Sequence, residues 1–273
     1  TNLIGYSLGE YVVATLAGVF ELEDALQLVA KRAQLIETLE EGRLLAVSAG
    51  VEAMLPYLSE EIYLTADLAP QACVLSGKAA DIVALETALA AEGIASQQLA
   101  ASHAFHTPMM APIEVQFTEL VGSIARNAPE IPYISNVTGG WISEEEATDP
   151  AYWGRHLSEP VQLRRGIETL LGKGEQVWLE LGPGQGLGSF VKQSAACTGE
   201  QRGRVHGTLP SRQESEGATG RLLKTMGKLW LAGVSVDWAG FYKHESRQRV
   251  KLTGYPFERK RFWIEMRDVT IVQ

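Results

Sequence analysis

Cysteine is nearly missing from this chain: 273 residues carry only Cys73 and Cys197, far apart. That pair supports neither a disulfide framework nor a Cys/His metal site, and it fits a reduced, cytoplasmic setting. Positive charge is the minority, with 24 Lys and Arg against 33 Asp and Glu and a formal net charge of −9. Such a balance argues against a surface built for nucleic acid or for an anionic membrane. No apolar run approaches the roughly 18 residues that a membrane span needs, and no basic segment followed by an apolar stretch marks a secretory signal. Internal repeats are absent. The chain opens on Thr1-Asn2-Leu3-Ile4, not on methionine. This stub reads as the end of a strand, so the sequence is expected to be part of something larger. What is present is an ordinary globular composition, with 45% apolar and 21% charged residues, enough for a sizeable core in one or two domains.

The spacing of apolar residues predicts an α/β protein. A helix is expected from residue 7 to about 18, stopped by Gly18, and a second from about 21 to 40. At about 100° per residue, Leu22, Ala25, Leu26, Leu28, Val29, Ala33, Leu35 and Ile36 share one arc of that second helix. Arg32 falls inside the same arc. Residues 43–103 read as strand (43–49), helix (51–58), strands (62–66 and 72–76), helix (79–91) and strand (96–100). That β-α-β-β-α-β order is the ferredoxin-like one, and the segment is expected to be a small inserted subdomain. Beyond it come the loop SHAFHTPMMAPI, a helix over about 112–126, a strand over 131–136 and a helix over 160–173. An apolar strand, Gln176–Leu181, runs into Gly182-Pro183-Gly184. Residues 199–220 are polar and rich in Gly, Ser and Arg and read as a boundary, followed by a helix over 222–232 and an aromatic tail.

Gly5-Tyr6-Ser7-Leu8-Gly9 matches G-x-S-x-G, in which a serine sits on a sharp strand-to-helix turn. The helix starting there offers backbone N–H groups to a developing oxyanion, with Leu8 as the obvious donor. A short pattern of this kind also arises by chance. The serine needs a base, and five histidines are available. His206 and His244 lie in polar stretches that suggest solvated side chains, and His156 suits a pocket wall or a helix cap. His103 and His106 share a loop, where catalytic groups concentrate; composition does not choose between them. Arg32 on an apolar helix face costs several kcal/mol unless paired. It is expected either to form a buried salt bridge, with Glu10 or Glu180 for example, or to snorkel past the stripe. The third option is that it holds an anionic ligand, for which its bidentate fork is suited.

Taken together, these segments resemble the acyltransferase domain of modular type I polyketide synthases, of the malonyl-CoA:acyl carrier protein transacylase kind. The resemblance is carried by GYSLGEYVVATLAGVFELEDALQLVAKRAQLI, HAFH at 103–106, SNVTG at 135–139, DPAYW at 149–153, LELGPG at 179–184 and YPFERKRFW at 255–263. It covers essentially the whole chain. It implies an α/β-hydrolase-like large subdomain (1–42 and 104–212), a ferredoxin-like small subdomain (43–103) and a post-acyltransferase linker (213–273) that packs on a ketosynthase. Ser7 would be the acyl-accepting nucleophile, His106 the general base and then acid, Leu8 N–H an oxyanion donor and Arg32 the clamp on the malonyl carboxylate. A backbone carbonyl, not an Asp, would orient the histidine.

HAFH also resembles the malonyl-selective form of its box, so Phe105 is expected to fill the space that an α-methyl branch would need, with His103 beside it. The substrate would be malonyl-CoA and the acceptor the phosphopantetheine thiol of an acyl carrier protein, with no bound cofactor or metal. A serine esterase or lipase-like hydrolase is the alternative; it would require an acidic third residue. Tyr6 stands where the family usually has histidine. The family also has a segment upstream of this one, with an oxyanion-hole glutamine and strands of the central sheet; the fold is expected to need it from the same or another polypeptide.

Overall fold

The computed structural model describes residues 1–246, 248 and 250–263; the expected linker therefore runs partly outside the described residues. Thr1–Val234 form one compact unit, and a smaller unit begins at Ser235. The first unit opens with β1 (Leu3–Ile4), α1 (Gly9–Leu16) and α2 (Leu22–Ile36). It continues through β2 (Arg43–Val47), α3 (Val51–Met54), β3 (Ile62–Ala69), β4 (Ala72–Gly77), α4 (Ala79–Ala91) and β5 (Ser96–Gln98). Then follow α5 (Ala111–Gly122), β6 (Tyr133–Ile134), α6 (Glu144–Thr148), α7 (Pro150–Ser158), β7 (Val161–Gln162) and α8 (Leu163–Leu171). β8 (Trp178–Pro183), α9 (Gly186–Gln193), α10 (Gly199–Arg202), β9 (Val205–Leu209) and α11 (Ala218–Leu231) complete it.

Residues 43–98 form the ferredoxin-like arrangement that the sequence order predicts. Its sheet runs β5-β2-β4-β3, with antiparallel pairing throughout. Leu45, Val47, Cys73 and Leu75 on that sheet pack against Ile82, Leu85 and Leu89 of α4, which recur every three or four residues along one helical face. The sheet gains a fifth strand from later in the chain: β7 pairs in parallel with β3, Ala66 opposite Val161 and Asp67 opposite Gln162. The expected helix over 160–173 therefore begins as a strand. Its first two residues are held by β3 and by the Asn136 carbonyl, which accepts the Gln162 N–H at 2.8 Å. Arg164 fastens the same junction, with its Nε 2.8 Å from Asp67 and an Nη 2.9 Å from Glu52.

The rest of the unit holds two parallel pairs, β1–β6 and β8–β9. The expected strand at 131–136 shrinks to Tyr133–Ile134, because the next residues leave the ladder. Ser135 N–H goes to the Gly140 carbonyl and Asn136 N–H to a Glu10 carboxylate oxygen. β8 is only half buried, with Leu181 70% exposed. With Leu3 and Ile4 of β1, Val12 and Leu16 of α1 and Leu179, it lines an apolar cleft of about 390 Å³.

β9 lies inside the stretch that reads as a polar boundary. The approach is close there: a Cβ on Gly207 would sit 3.0 Å from the Gly184 carbonyl oxygen, and Thr208 Oγ1 donates to the Glu180 carbonyl at 2.9 Å. Thr225 of α11 donates to the Gly207 carbonyl at 2.7 Å, so this helix packs on β9. In the smaller unit, α12 (Trp238–Phe241) gathers Trp238, Phe241 and Tyr242 into ring contacts. Tyr255, Phe257, Phe262 and Trp263 are exposed.

The core beside the serine turn is aromatic. Trp153 is fully buried, with ring centroids 4.9 Å from Tyr11 and 4.8 Å from Phe20, and its Nε1 donates to the Ala147 carbonyl. α2 packs on this core through Ala25, Leu28, Arg32 and Ile36. The buried stripe is narrower than the periodicity suggests, since Leu22 and Leu26 face outward, more than half exposed.

Candidate active site

The chain leaves β1 through Gly5, where any side chain is excluded: a Cβ would lie 2.2 Å from the backbone carbonyl carbon of Gly9. This contact presses the turn against the start of α1 and puts Ser7 in the left-handed region, at φ 52°. His106 comes from the loop ahead of α5 and is also left-handed, at φ 59°. These two are the only non-glycine residues with positive φ among those described. Each such conformation costs about 1–3 kcal/mol and persists only where the surroundings over-determine it. His106 N–H donates to the Leu157 carbonyl at 3.0 Å, and Ser7 N–H donates to Asn136 Oδ1 at 2.7 Å.

The two side chains meet, with Ser7 Oγ 2.6 Å from His106 Nε2. His106 is 2% exposed. Burial lowers its pKa well below the usual histidine value, and the neighbouring His156 and Arg32 push in the same direction. The backbone carbonyls of His156 and Glu159 approach the ring and partly offset this by favouring its charged form. Nδ1 makes no well-aligned hydrogen bond. A neutral imidazole at Ser7 Oγ is a proton acceptor in place. The N–H groups of Gly9, Glu10 and Tyr11 fold back on the carbonyls of Tyr6, Ser7 and Leu8, and Asn136 takes that of Ser7. The Leu8 N–H is left at the helix N-terminus, while its side chain points outward.

Arg32 is buried on α2, as the helical pattern implies, but it does not make the salt bridges considered for it. Glu10 is bound by Tyr152 OH, by Asn136 N–H and by contact with His156. Glu180 accepts the N–H groups of Leu187 and Gly188. Among the described residues Arg32 has no carboxylate in ion-pair range. Its Nε is unpaired, and its guanidinium lies 5.8 Å from the centre of the Tyr11 ring. Phe105 is half buried and packs against the cores on both sides of the site. His103 is buried beside it, its Nδ1 2.9 Å from Ser102 Oγ and its ring 6.4 Å from Phe105.

Tyr6 packs against the core that holds Leu44 and Val161, and burial raises its pKa, which keeps the phenol neutral. The remaining histidines separate. His244 is exposed, and His206 is half buried on β9. His156 lies in α7 with its ring 5.4 Å from that of His106. Among the described residues no group of three or more His, Cys, Asp and Glu is placed to hold a metal.

Three residues that the sequence did not place at the site stand behind Ser7 and His106: Asn136, Glu10 and His156. Glu10 carried a signal of the same kind as Arg32, a charged side chain on a helix face otherwise filled by Tyr11, Val13 and Ala14.

A serine on a tight turn, a neutral histidine at its hydroxyl and an N–H at a helix N-terminus form an arrangement able to carry serine acyl transfer or hydrolysis. The acyl transferase domain family matches residues 1–236, and this chain belongs to that family. A phenolphthiocerol/phthiocerol polyketide synthase polypeptide of Mycobacterium tuberculosis is 37% identical over 263 residues, which is 96% of this chain and 17% of that protein. The spectinabilin polyketide synthase system protein NorB of Streptomyces orinoci is 32% identical over 94% of this chain and 12% of its own length. This chain thus spans only a small part of those relatives. Among solved structures, the acyl transferase domain of ZmaA superposes with a TM-score of 0.82 at 34% identity, over 92% of this chain and 58% of that one. The malonyl-CoA:acyl carrier protein transacylase of Xanthomonas oryzae gives 0.71 at 25% identity, over 84% and 71%. The α/β fold with two subdomains is that of these acyltransferases.

Proposed function

We propose that this chain transfers a malonyl group from malonyl-CoA to the phosphopantetheine thiol of an acyl carrier protein, through a malonyl ester on Ser7. His106 Nε2 takes the Ser7 proton as Oγ attacks the thioester carbonyl. The oxyanion forms against the Leu8 N–H. As the intermediate collapses, the C–S bond breaks and the proton on His106 passes to the departing CoA thiol. The carrier thiol then gives its proton to His106 and attacks the seryl ester, and Ser7 Oγ leaves with that proton. The chemistry as written needs neither metal nor redox group.

The observation that carries the choice of acyl group is Arg32, a buried guanidinium without a carboxylate partner among the described residues, close enough to His106 to depress its basicity. A substrate carboxylate would supply the missing counter-charge bidentately. Phe105 and His103 would border the pocket at the α-carbon and oppose a methyl branch. A hydrolase reading would call for an acidic third residue, and among the described residues no carboxylate bonds His106 Nδ1. The partners in this reading are the acyl carrier protein and, through the linker of residues 213–273, a ketosynthase, in a cytoplasmic assembly that builds polyketides. Residues 1–42 and 104–212 form the large subdomain and 43–103 the inserted one. Among the described residues no helix is long and apolar enough to cross a membrane.

The test is mass-spectrometric labelling with malonyl-CoA. The unaltered protein gains one malonyl group on Ser7, and Ser7→Ala gains none; undiminished labelling of Ser7→Ala refutes the nucleophile.

A further inference from the structure

Glu10 is fully buried, in the first turn of α1 and three residues after Ser7. A carboxylate buried from solvent must find donors or protonate, and here two donors and a histidine contact converge on it. Tyr152 OH of α7 donates to Oε1, and Asn136 N–H, just after β6, donates to Oε2 at 2.8 Å. His156 Nε2, also on α7, contacts Oε2 at 3.3 Å.

Two of these neighbours, Asn136 and His156, lead to the reacting pair. Asn136 spends its side chain on the serine turn: Oδ1 accepts the Ser7 N–H and Nδ2 donates to the Gly5 carbonyl at 2.8 Å. Its own N–H, bound to Glu10, fixes where that side chain can reach. On the other branch, His156 meets the His106 ring edge-to-face, at 79° between planes. The residue after it in α7, Leu157, accepts the His106 N–H. One carboxylate therefore anchors the neighbours of both left-handed residues, Ser7 and His106.

We propose that Glu10 is a positioning residue that sets the nucleophile and the base against each other, holding Ser7 through Asn136 and His106 through His156. This rests on the Ser7–His106 reading above. Glu10 itself touches neither reacting atom. Its loss leaves substrate recognition at Arg32 intact and lets the 2.6 Å contact drift. A displacement of about 1 Å costs about 100-fold in rate.

The experiment compares Glu10→Gln, which keeps shape but removes the charge, with the unaltered full chain in single-turnover acylation by malonyl-CoA. The expected result is an acylation rate constant lowered about 100-fold, with the substrate concentration for half-saturation and the final number of labelled serines per chain both unchanged. A merely structural role would lower that number of sites and leave the rate per site as it was, which would overturn the proposal, as would an unchanged rate. His156→Gln covers the case in which Glu10→Gln does not fold. It breaks the branch to His106 alone and is expected to lower the rate constant with the same unchanged half-saturation; an unaltered rate there overturns the proposal. Ser7→Ala runs in parallel. Labelling of Ser7→Ala would sink the nucleophile reading itself, whereas an unlabelled Ser7→Ala beside a fully active Glu10→Gln sinks only the role of Glu10.

Discussion

Ser7 Oγ and His106 Nε2 lie 2.6 Å apart although 99 residues separate them in the chain. Each is delivered by a strained backbone that few residues tolerate, and the hydrogen bond between them is made where the His106 ring is shut off from solvent. The consequences are measurable.

His106→Ala is expected to slow formation of the acyl-enzyme by about 100- to 10,000-fold, the usual worth of a positioned base. Quenched-flow labelling with malonyl-CoA reads this directly, and a loss below about tenfold would remove His106 from the mechanism.

The pH dependence follows from burial. Because the folded pKa of His106 lies well below its ordinary value of 6.5, the ring is neutral and competent at pH 6.5 and above. Acylation should fall off only at a midpoint clearly under 6.5. Stability moves in the same sense. Below 6.5 the unfolded chain takes up a proton that the folded ring refuses, so this group's contribution is lost as pH falls toward the folded pKa. Acylation rate and urea midpoint recorded between about pH 4.5 and 8 check both; an acid limb centred above 6.5 contradicts the burial argument.

Arg32→Ala is expected to lose malonyl loading while acetyl loading rises relative to it, because only malonyl carries the carboxylate. Arg32→Lys should recover only part of the loss, since an ammonium cannot pair bidentately. Competition between malonyl-CoA and acetyl-CoA for Ser7 gives the ratio. An equal fall with both substrates would make Arg32 structural.

Phe105→Ser opens space beside the site and is expected to relax discrimination against methylmalonyl-CoA by about 10-fold or more, the worth of one methyl group in an apolar pocket being about 1–3 kcal/mol. The ratio of kcat/KM for the two thioesters reports it. His103→Ala should alter packing or selectivity more than the acylation rate.

Trp153→Ala removes the largest fully buried side chain beside the site, with its contacts to Tyr11, Phe20 and Tyr152. A loss of about 3–5 kcal/mol in urea unfolding is expected. A change below about 1 kcal/mol would mean that the aromatic cluster is not part of the core.

Much of this was legible in the residues. The ferredoxin-like subdomain follows from the alternation of strands and helices over 43–98, a local property of spacing. The serine turn follows from two glycines at fixed offsets, and the burial of Arg32 from helical periodicity alone. Other features were hidden because their cause is non-local. β9 is a short strand inside a stretch whose overall composition is polar, and β8 and α11 press close on either side of it. β7 is a strand only because β3 offers it an edge.

The sequence by itself therefore determined which groups could react: a serine between glycines, a histidine-bearing loop and an arginine on an apolar face. Composition leaves His103 and His106 equivalent and only the family resemblance pointed to the second; the tertiary structure turns His106, not His103, onto Ser7. It also decided that Glu10 is claimed by Tyr152, Asn136 and His156, which leaves Arg32 without a carboxylate among the described residues. Sequence spacing limits which partners a buried charge has within reach. Which of them it keeps depends on packing from elements far along the chain.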